Sequence, residues 1–171
     1  EQGRDYLIVA DPSSGHGADY SAAVVIDLES WDQVASYHGM LEPSQLAEQM
    51  MMAGYLWSGT GRPALLCPES NNHGEGVVAL LSEWRYPRIY ATEVLDQRTR
   101  RTTTTYGWRT SEQSRKLAIS ALQRALREQT IGIRDEASIA EMRRFIWVVT
   151  NAENGAGRWQ AEAGYHDDRV L

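Results

Sequence analysis

Residues 6–11 read YLIVAD, and the residues that follow them, 12–19, read PSSGHGAD. The first run is continuously apolar and rich in β-branched side chains, which predicts a buried strand. Asp11 stands at the carboxyl end of this strand, where a proline and two glycines turn the chain into a loop. An Asp before a Pro also commonly starts a turn, so the run by itself leaves open a structural or a functional role for this carboxylate.

The neighbouring segments predict the rest of a mixed sheet. Residues 21–28 and 33–37 form two more strands, and short turn-forming connections join all three into an antiparallel meander. A helix that begins near Pro43 leads to a short apolar strand over 64–68, and a helix and another strand over 88–91 follow. This strand–helix–strand order favours parallel pairing. The expected fold class is α/β, with three antiparallel strands followed by parallel strands and with helices flanking the sheet.

The second half of the chain is richer in helix. Residues 93–108 are rich in threonine without apolar alternation, which predicts an exposed ribbon or loop. Thr110 looks like the cap of a long helix whose inward face carries Leu117 and Leu122, and Asp135 is expected to cap the next helix. A further strand is expected after that helix.

Two further acidic positions lie far from Asp11 in the sequence. Glu69 follows a short apolar run, and Asp167 with Asp168 lies near the carboxyl terminus. A few carboxylates are enough to bind Mg²⁺, because this ion prefers hard oxygen ligands and retains several waters. Convergence of the three positions would make a metal site, whereas the structural alternatives are a surface glutamate near a helix start and an acidic helix cap. Residues 70–72, SNN, offer caps for the helix after Glu69.

Composition indicates one domain without disulfides or membrane spans. A chain of 171 residues with 42% hydrophobic content can bury a single sizeable core. Cys67 is the one cysteine, which excludes an internal disulfide or a cysteine-based zinc site and fits a reducing compartment. No run of about 18 apolar residues occurs. The start lacks methionine and the end lacks a closing helix, so we expect residues 1–171 to be one domain excised from a longer chain.

Charge is distributed unevenly along the chain. The net formal charge is −6, but residues 85–144 hold 13 Lys or Arg against 7 Asp or Glu, a local balance of +6. A basic segment on an acidic body is consistent with binding of a polyanion and also with solvated helix faces. The candidate phosphate contacts are Arg98, Arg100, Arg101 and Arg109, because an extended, threonine-rich setting can follow a nucleic-acid backbone without reading bases.

Four motifs occur in the order and with the separations of a known family. They are Asp11 with its glycine-rich loop, PESNNHG over 68–74, YGWRT over 106–110 before a long helix, and HDDRV over 166–170. On these motifs the chain resembles the C-terminal nuclease domain of the large terminase subunit of tailed bacteriophages, which has an RNase H-like fold. The resemblance covers nearly the whole chain. The ATPase motor of that family is missing, since no Gly-x-x-x-x-Gly-Lys-Ser/Thr motif occurs.

The resemblance implies a metal-dependent endonuclease. Two Mg²⁺ or Mn²⁺ ions would activate the attacking water and stabilise the leaving oxygen of a phosphodiester. The implied ligands are Asp11, Glu69, Asp167 and Asp168, with Asp168 favoured over Asp167 as the direct ligand. The candidates for an outer shell around them are Asp19, which alternatively shapes its loop, His73 and His166.

The resemblance also implies a setting and partners. A terminase nuclease cuts viral DNA before and after a capsid is filled, with little sequence preference. The implied partners are double-stranded DNA, the ATPase motor, the portal and the small terminase subunit, and the implied location is the host cytoplasm at the capsid portal, without a membrane. Two alternatives remain open: an RNase H or junction resolvase on the same fold, and a non-catalytic DNA clamp or protein-docking module. An actin-like sugar kinase is disfavoured, since no second Asp-x-Gly phosphate loop occurs.

Overall fold

The computed structural model describes residues 3–17, 19–59, 61–95, 98, 100–151 and 156–163, with only the backbone for 149–151 and 156. The predicted site residues Asp167, Asp168 and His166 therefore lie outside the described residues. Within the described ranges, no helix combines the length and the apolar character that crossing a membrane requires.

Four strands make the central sheet, in the spatial order β3–β2–β1–β4. In chain order they are β1 (Tyr6–Asp11), β2 (Ser21–Asp27), β3 (Gln33–Gly39) and β4 (Leu65–Pro68). The first three pair antiparallel, as predicted for a meander, and β4 pairs parallel with β1. The strand expected over 88–91 is reduced to a parallel bridge between Ile89 and Leu66 of β4. The predicted α/β class with a mixed sheet is confirmed.

Two helices, α1 (Pro43–Leu56) and α2 (Gly74–Glu83), cover one face of the sheet. Alternate side chains of β1 point to this face, as expected for a strand, and the apolar side chains of each helix recur at four-residue spacing. Burying one large aliphatic side chain contributes about 1.5–3 kcal/mol. The largest fully buried apolar side chains of this core are Ile8, Leu46, Met50, Leu66, Val77 and Leu81.

Two more helices, α3 (Glu112–Arg127) and α4 (Glu136–Arg143), lie over the opposite face. This cover is looser, and it leaves a cavity of about 200 Å³ between the helices and the sheet. Ile119 is the buried residue of α3, whereas Leu117, which we predicted to face inward, is 64% exposed. The prediction for Leu117 is wrong because at about 100° per residue it lies on the far side of the helix from Ile119.

The caps of these two helices test a second prediction. Ser111, not Thr110, caps α3, and its Oγ accepts a hydrogen bond from the Ser114 N–H at 3.1 Å. Asp135 caps α4 as predicted, since its carboxylate accepts from the Ser138 N–H at 2.8 Å.

Two hairpins stand outside the central sheet in the described part of the chain. β5 (Ala91–Leu95) and β6 (Thr102–Tyr106) pair antiparallel into an exposed structure, here called the β5–β6 ribbon, which confirms the ribbon predicted for this region. β7 (Phe145–Asn151) and β8 (Ala156–Ala161) form the second hairpin.

Candidate active site

Asp11 and Glu69 lie side by side at the carboxyl ends of two neighbouring parallel strands. Ala10 of β1 is in register with Pro68 of β4, and the Glu69 N–H donates to the Ala10 carbonyl at 2.8 Å. Asp11 directly follows Ala10 in the chain, and Glu69 directly follows Pro68. Adjacent strands are about 4.8 Å apart and residues in register share a face, so the two side chains project from the same face of the sheet. The parallel register thus brings together two carboxylates that are 58 positions apart in the sequence.

The face that carries the two carboxylates is the one under α3 and α4. Ala10 is buried toward α1 and α2, and the alternate residues Val9 and Asp11 point the other way. Both of them line the 200 Å³ cavity, together with Leu122 of α3. Asp11 is half-buried at this apolar cavity. Apolar walls lower the local dielectric constant, which strengthens the attraction between a carboxylate and a cation.

The loop after β1 is held by hydrogen bonds among its short polar side chains. The Ser13 N–H donates to Ser21 Oγ at 3.0 Å, and the Asp19 carboxylate accepts from the Ser14 N–H at 2.8 Å. Hydrogen bonds from the Ser14 side chain and backbone, with a further contribution from the charge of nearby His73, hold the pKa of Asp19 below its ordinary value. These contacts connect Asp19 to the backbone of its own loop, and they place it near His73, an exposed residue that precedes α2.

The Glu69 side chain is held by Asn71. The Asn71 side-chain nitrogen Nδ2 donates to Glu69 Oε1 at 3.0 Å and to the Thr110 carbonyl at 2.8 Å. The helix-capping role that we predicted for residues 70–72 is wrong, since α2 begins at Gly74 without a side-chain cap hydrogen bond. Backbone bonding closes this turn instead, with the Gly74 N–H donating to the Asn71 carbonyl at 2.8 Å.

Gly74 packs directly against the backbone of Glu69. A Cβ atom at this position would lie 1.7 Å from the Glu69 carbonyl oxygen and 3.5 Å from Cγ of Pro12. A real side chain cannot approach a backbone oxygen so closely. Glycine therefore allows α2 to begin against the two loops that carry the candidate ligands.

The β5–β6 ribbon is attached at its base to the residues around Glu69. Trp108 forms a parallel bridge with Glu69; its N–H donates to the Pro68 carbonyl, and its carbonyl accepts from the Ser70 N–H, each at 2.8 Å. Because residues in register share a face, Trp108 lies on the face of the two carboxylates. Its side chain is 37% exposed, so an aromatic surface borders the site.

The four arginines predicted to contact phosphate separate into two groups. Arg109 directly follows Trp108, at the base of the β5–β6 ribbon, whereas Arg98, Arg100 and Arg101 lie in the connection between β5 and β6. All four are exposed. Five residues of strand, at about 3.3 Å each, separate the base from the connection by about 17 Å.

The third acidic position of the prediction is the pair Asp167 and Asp168, which lies outside the described residues, as does His166. Among the residues that the structure describes, no three His, Cys, Asp or Glu side chains come together as a metal site. Asp11 and Glu69 supply two hard oxygen donors, and waters together with one further protein donor would complete the coordination of a bound Mg²⁺. The assignment of that donor to Asp168 or Asp167 stays a prediction.

Asn71 and Trp108 are neighbours of the candidate ligands that sequence reasoning did not assign to the site. The partner of Asn71, Thr110, is 39 positions away, and no periodic pattern reports such a contact. The sequence feature that could have indicated their role is that Asn71 lies in the motif PESNNHG and Trp108 in the motif YGWRT.

Solved structures of phage proteins share this architecture. The large terminase nuclease from thermophilic phage G20c with bound magnesium aligns with a TM-score of 0.73 at 18% identity, over 99% of this chain and 78% of that chain. This chain has the fold of a large terminase nuclease. The same G20c nuclease with bound cobalt gives a TM-score of 0.73 at 18% identity, over 98% and 77% of the two chains. The nuclease domain of the Thermus phage P74-26 large terminase gives 0.68 at 18% identity, over 98% and 75%.

The terminase nuclease fold agrees with the RNase H-like fold that the family resemblance implied. No protein-family model matches the sequence. At 18% identity the likeness shows the fold, and the chemistry of the site has to be argued from the residues of this chain. The G20c nuclease has been solved with divalent metals, magnesium and cobalt. In this chain, the hard oxygen donors Asp11 and Glu69 suit such ions.

Proposed function

We propose that this domain is a metal-dependent endonuclease that hydrolyses double-stranded DNA during packaging of a viral genome. In the full-length protein the domain acts beside an ATPase motor, with the portal and the small terminase subunit as partners in the host cytoplasm. The activity and the substrate are supported by the site. The cellular setting is supported by the resemblance to terminases.

One observation carries the proposed activity: the register of β1 with β4 puts the Asp11 and Glu69 side chains next to each other on one face. Carboxylate oxygens are hard donors of the kind that Mg²⁺ and Mn²⁺ prefer, and two of them on one face can bind the same ion. We assign Asp11 and Glu69 as ligands of Mg²⁺ or Mn²⁺, completed by Asp168 or Asp167. When bound at these ligands, two ions would supply activation of the attacking water and stabilisation of the leaving oxygen, so no side-chain nucleophile would be required.

The residues of this chain hold and orient the reacting groups. The backbone of β1 sets the position of Asp11, and Asn71 orients the Glu69 carboxylate, so the two candidate ligands are placed before DNA arrives. Preorganisation of this kind lowers the barrier, because little rearrangement is needed during the reaction. Asp19 supports the loop beside Asp11 through its bond from Ser14, which favours a loop-shaping role for this carboxylate over an outer-shell role.

The β5–β6 ribbon supports double-stranded DNA as the substrate. Arg109 lies next to the site, and the three arginines of the β5–β6 connection lie about 17 Å farther along the ribbon. That separation is about half of the 34 Å helical repeat of B-DNA. Exposed arginines in both places could contact phosphates along the backbone, and phosphate contacts carry no sequence information, in agreement with the proposed lack of sequence preference.

Cleavage of supercoiled plasmid in Mg²⁺ or Mn²⁺ tests the proposed activity. The unaltered domain is expected to nick and then degrade the plasmid, and Asp11→Ala and Glu69→Ala are expected to abolish cleavage because each removes a ligand. Glu83→Ala is the matched control, since it removes an exposed carboxylate at the end of α2. Full activity of either ligand variant in a clean preparation would contradict the assignment.

A comparison of substrates separates the proposal from its alternatives. Duplex DNA is expected to be cut in preference to an RNA–DNA hybrid or a four-way junction. Preference for the hybrid would indicate an RNase H, and preference for the junction would indicate a resolvase. Absence of cleavage, together with no Mn²⁺ binding in the millimolar range by calorimetry, would indicate a non-catalytic module.

A further inference from the structure

The side chain of Asn71 joins separate parts of the candidate active site. Its Nδ2 atom donates one hydrogen bond of 3.0 Å to Glu69 Oε1 and one of 2.8 Å to the Thr110 carbonyl. Glu69 follows β4, whereas Thr110 lies between the β5–β6 ribbon and α3. One amide group therefore ties the candidate metal ligand to the chain segment that leads from the ribbon into a helix.

The chemistry of both partners matches a side-chain amide. A carboxylate oxygen and a backbone carbonyl are acceptors, and an amide nitrogen carries two hydrogens, one for each of them. The same partners fix the orientation of the amide, because a flipped Asn71 would turn its carbonyl oxygen toward two acceptors. An ionised Asp at this position would have no hydrogen to donate, and a Ser would have one.

The backbone around Asn71 is held without its side chain. The Trp108 N–H donates to the Pro68 carbonyl, and the Ser70 N–H donates to the Trp108 carbonyl, each at 2.8 Å. The turn into α2 is closed by the bond from the Gly74 N–H to the Asn71 carbonyl. These backbone bonds do not restrain the side chain of Glu69. An unrestrained glutamate side chain has many rotamers.

We propose that Asn71 is a positioning residue that holds the Glu69 carboxylate in the orientation that binds the metal. The inference rests on the proposed function, in which Glu69 is a ligand. The bond to Oε1 fixes the rotamer of the carboxylate before a cation arrives, and the tie to Thr110 prevents the amide from moving with it. Groups that hold a metal ligand in this way typically change metal affinity by about 10- to 100-fold when they are removed.

Calorimetric titration with Mn²⁺ alone tests this role. Asn71→Ala is expected to bind Mn²⁺ about 10- to 100-fold more weakly than the unaltered domain. The matched control is Asn72→Gly, which removes an exposed side chain at the next position. Asn72 has a φ of +46°, a backbone conformation that glycine adopts without strain. The control is expected to keep the original affinity, and an unchanged affinity of Asn71→Ala would overturn the proposal.

Nuclease activity measured against Mn²⁺ concentration adds a readout that a general structural defect does not mimic. For Asn71→Ala the midpoint of activation is expected to rise by about the factor measured for binding, with the rate recovering at saturating Mn²⁺. A lower rate at every concentration with an unchanged midpoint would contradict the positioning role.

Nuclear magnetic resonance on the unaltered domain tests the role of Asn71 without a substitution, in case Asn71→Ala does not fold. The side-chain amide resonances of Asn71 are expected to shift on addition of Mg²⁺ with the midpoint found by calorimetry, and those of Asn72 are expected to stay. Unmoved Asn71 resonances would contradict the proposal. Glu69→Gln in the Mn²⁺ titration separates the two failures. Unchanged binding in that variant defeats the proposed function, whereas lost binding beside an unaffected Asn71→Ala defeats the positioning role alone.

Discussion

Gly74 positions the candidate site by having no side chain. Its backbone lies so close to Glu69 that a Cβ atom would be 1.7 Å from the Glu69 carbonyl oxygen. The close approach brings the N-terminal end of α2 to the end of β4, where the partial positive charge of the helix favours nearby carboxylates. The geometry of Glu69 therefore depends on a residue that has no functional group of its own.

Gly74→Ala is expected to destabilise the domain and to displace Glu69. The clash is with backbone, which cannot rotate away, so the free energy of unfolding should fall by about 1–3 kcal/mol, as for other overpacked sites. Urea unfolding measures the loss of stability, and Mn²⁺ titration measures the expected loss of metal affinity. Gly76→Ala is the matched control in the same helix, because the nearest atom to its Cβ would be Pro43 Cβ at 3.8 Å.

The control should behave in the opposite way. Alanine is a better helix former than glycine, so Gly76→Ala is expected to stabilise the domain by about 0.5–1 kcal/mol and to leave Mn²⁺ binding unchanged. Equal behaviour of Gly74→Ala and Gly76→Ala would show that the close approach to Glu69 is not required.

The candidate role of Asp11 could be predicted from the sequence, whereas that of Asn71 could not. Asp11 was predictable because an apolar run and a glycine-rich loop bound it on either side. Asn71 was assigned to a helix cap because an Asn shortly before a helix suits a cap as well as any other role. The contact that decides its role is with Thr110, and that contact exists only after β4 and the base of the β5–β6 ribbon have paired.

Among the elements, the β5–β6 ribbon combines an anchored base with an exposed body. Its threonines favour extended backbone, and every residue of β5 is exposed. The base is paired with the segment around Glu69, so a ligand bound along the ribbon is connected to the candidate site by backbone hydrogen bonds.

Replacing Arg98, Arg100 and Arg101 together by Gln is expected to weaken binding of duplex DNA and to flatten its dependence on salt. Each phosphate contact contributes about 0.9 to the slope of log K against log salt, so the slope should decrease by up to about 2.7. Fluorescence anisotropy with a labelled duplex at several salt concentrations measures both quantities.

The control for the ribbon is a pair of exposed arginines in the last turn of α3, Arg124 and Arg127. Their replacement by Gln should change the slope much less, because the 16-residue helix carries them away from Thr110 and Glu69 at about 1.5 Å per residue. An unchanged slope in the ribbon variant would mean that the ribbon is a solvated element without a role in DNA binding.

The helix α3 shows which part of an element the sequence does predict. Its existence and approximate start followed from apolar spacing and a capping residue, with the cap displaced by one position to Ser111. Its buried side followed only in part, since Leu122 lines the cavity as predicted, whereas Leu117 is exposed and Ile119 is buried. A helical period fixes which residues share a stripe, but the sheet beneath decides which stripe is covered and how closely.

At the scale of the whole molecule, the two faces of the sheet are packed differently. α1 and α2 bury a continuous apolar core on one face, whereas α3 and α4 leave a 200 Å³ cavity on the other. Asp11 and Glu69 lie at the carboxyl edge of that second face. Their proximity depends on the pairing of β1 with β4, so the unfolded chain lacks the proposed site. If the proposed function holds, metal binding therefore stabilises the folded domain.

Mn²⁺ is therefore expected to raise the melting temperature of the domain. An ion present at 100 times its dissociation constant stabilises the folded state by about 2.7 kcal/mol. For a domain of 171 residues this corresponds to a rise of about 5–10 °C. Thermal unfolding followed by circular dichroism, with and without Mn²⁺, measures the shift. Asp11→Asn should lose most of the shift and Glu83→Gln should retain it, because Asp11 lies at the site and Glu83 is an exposed residue of α2. If Mn²⁺ raised the melting temperature of Asp11→Asn as much as that of the unaltered domain, the stabilising ion would be bound elsewhere. The pairing of β1 with β4 would then not create the metal site.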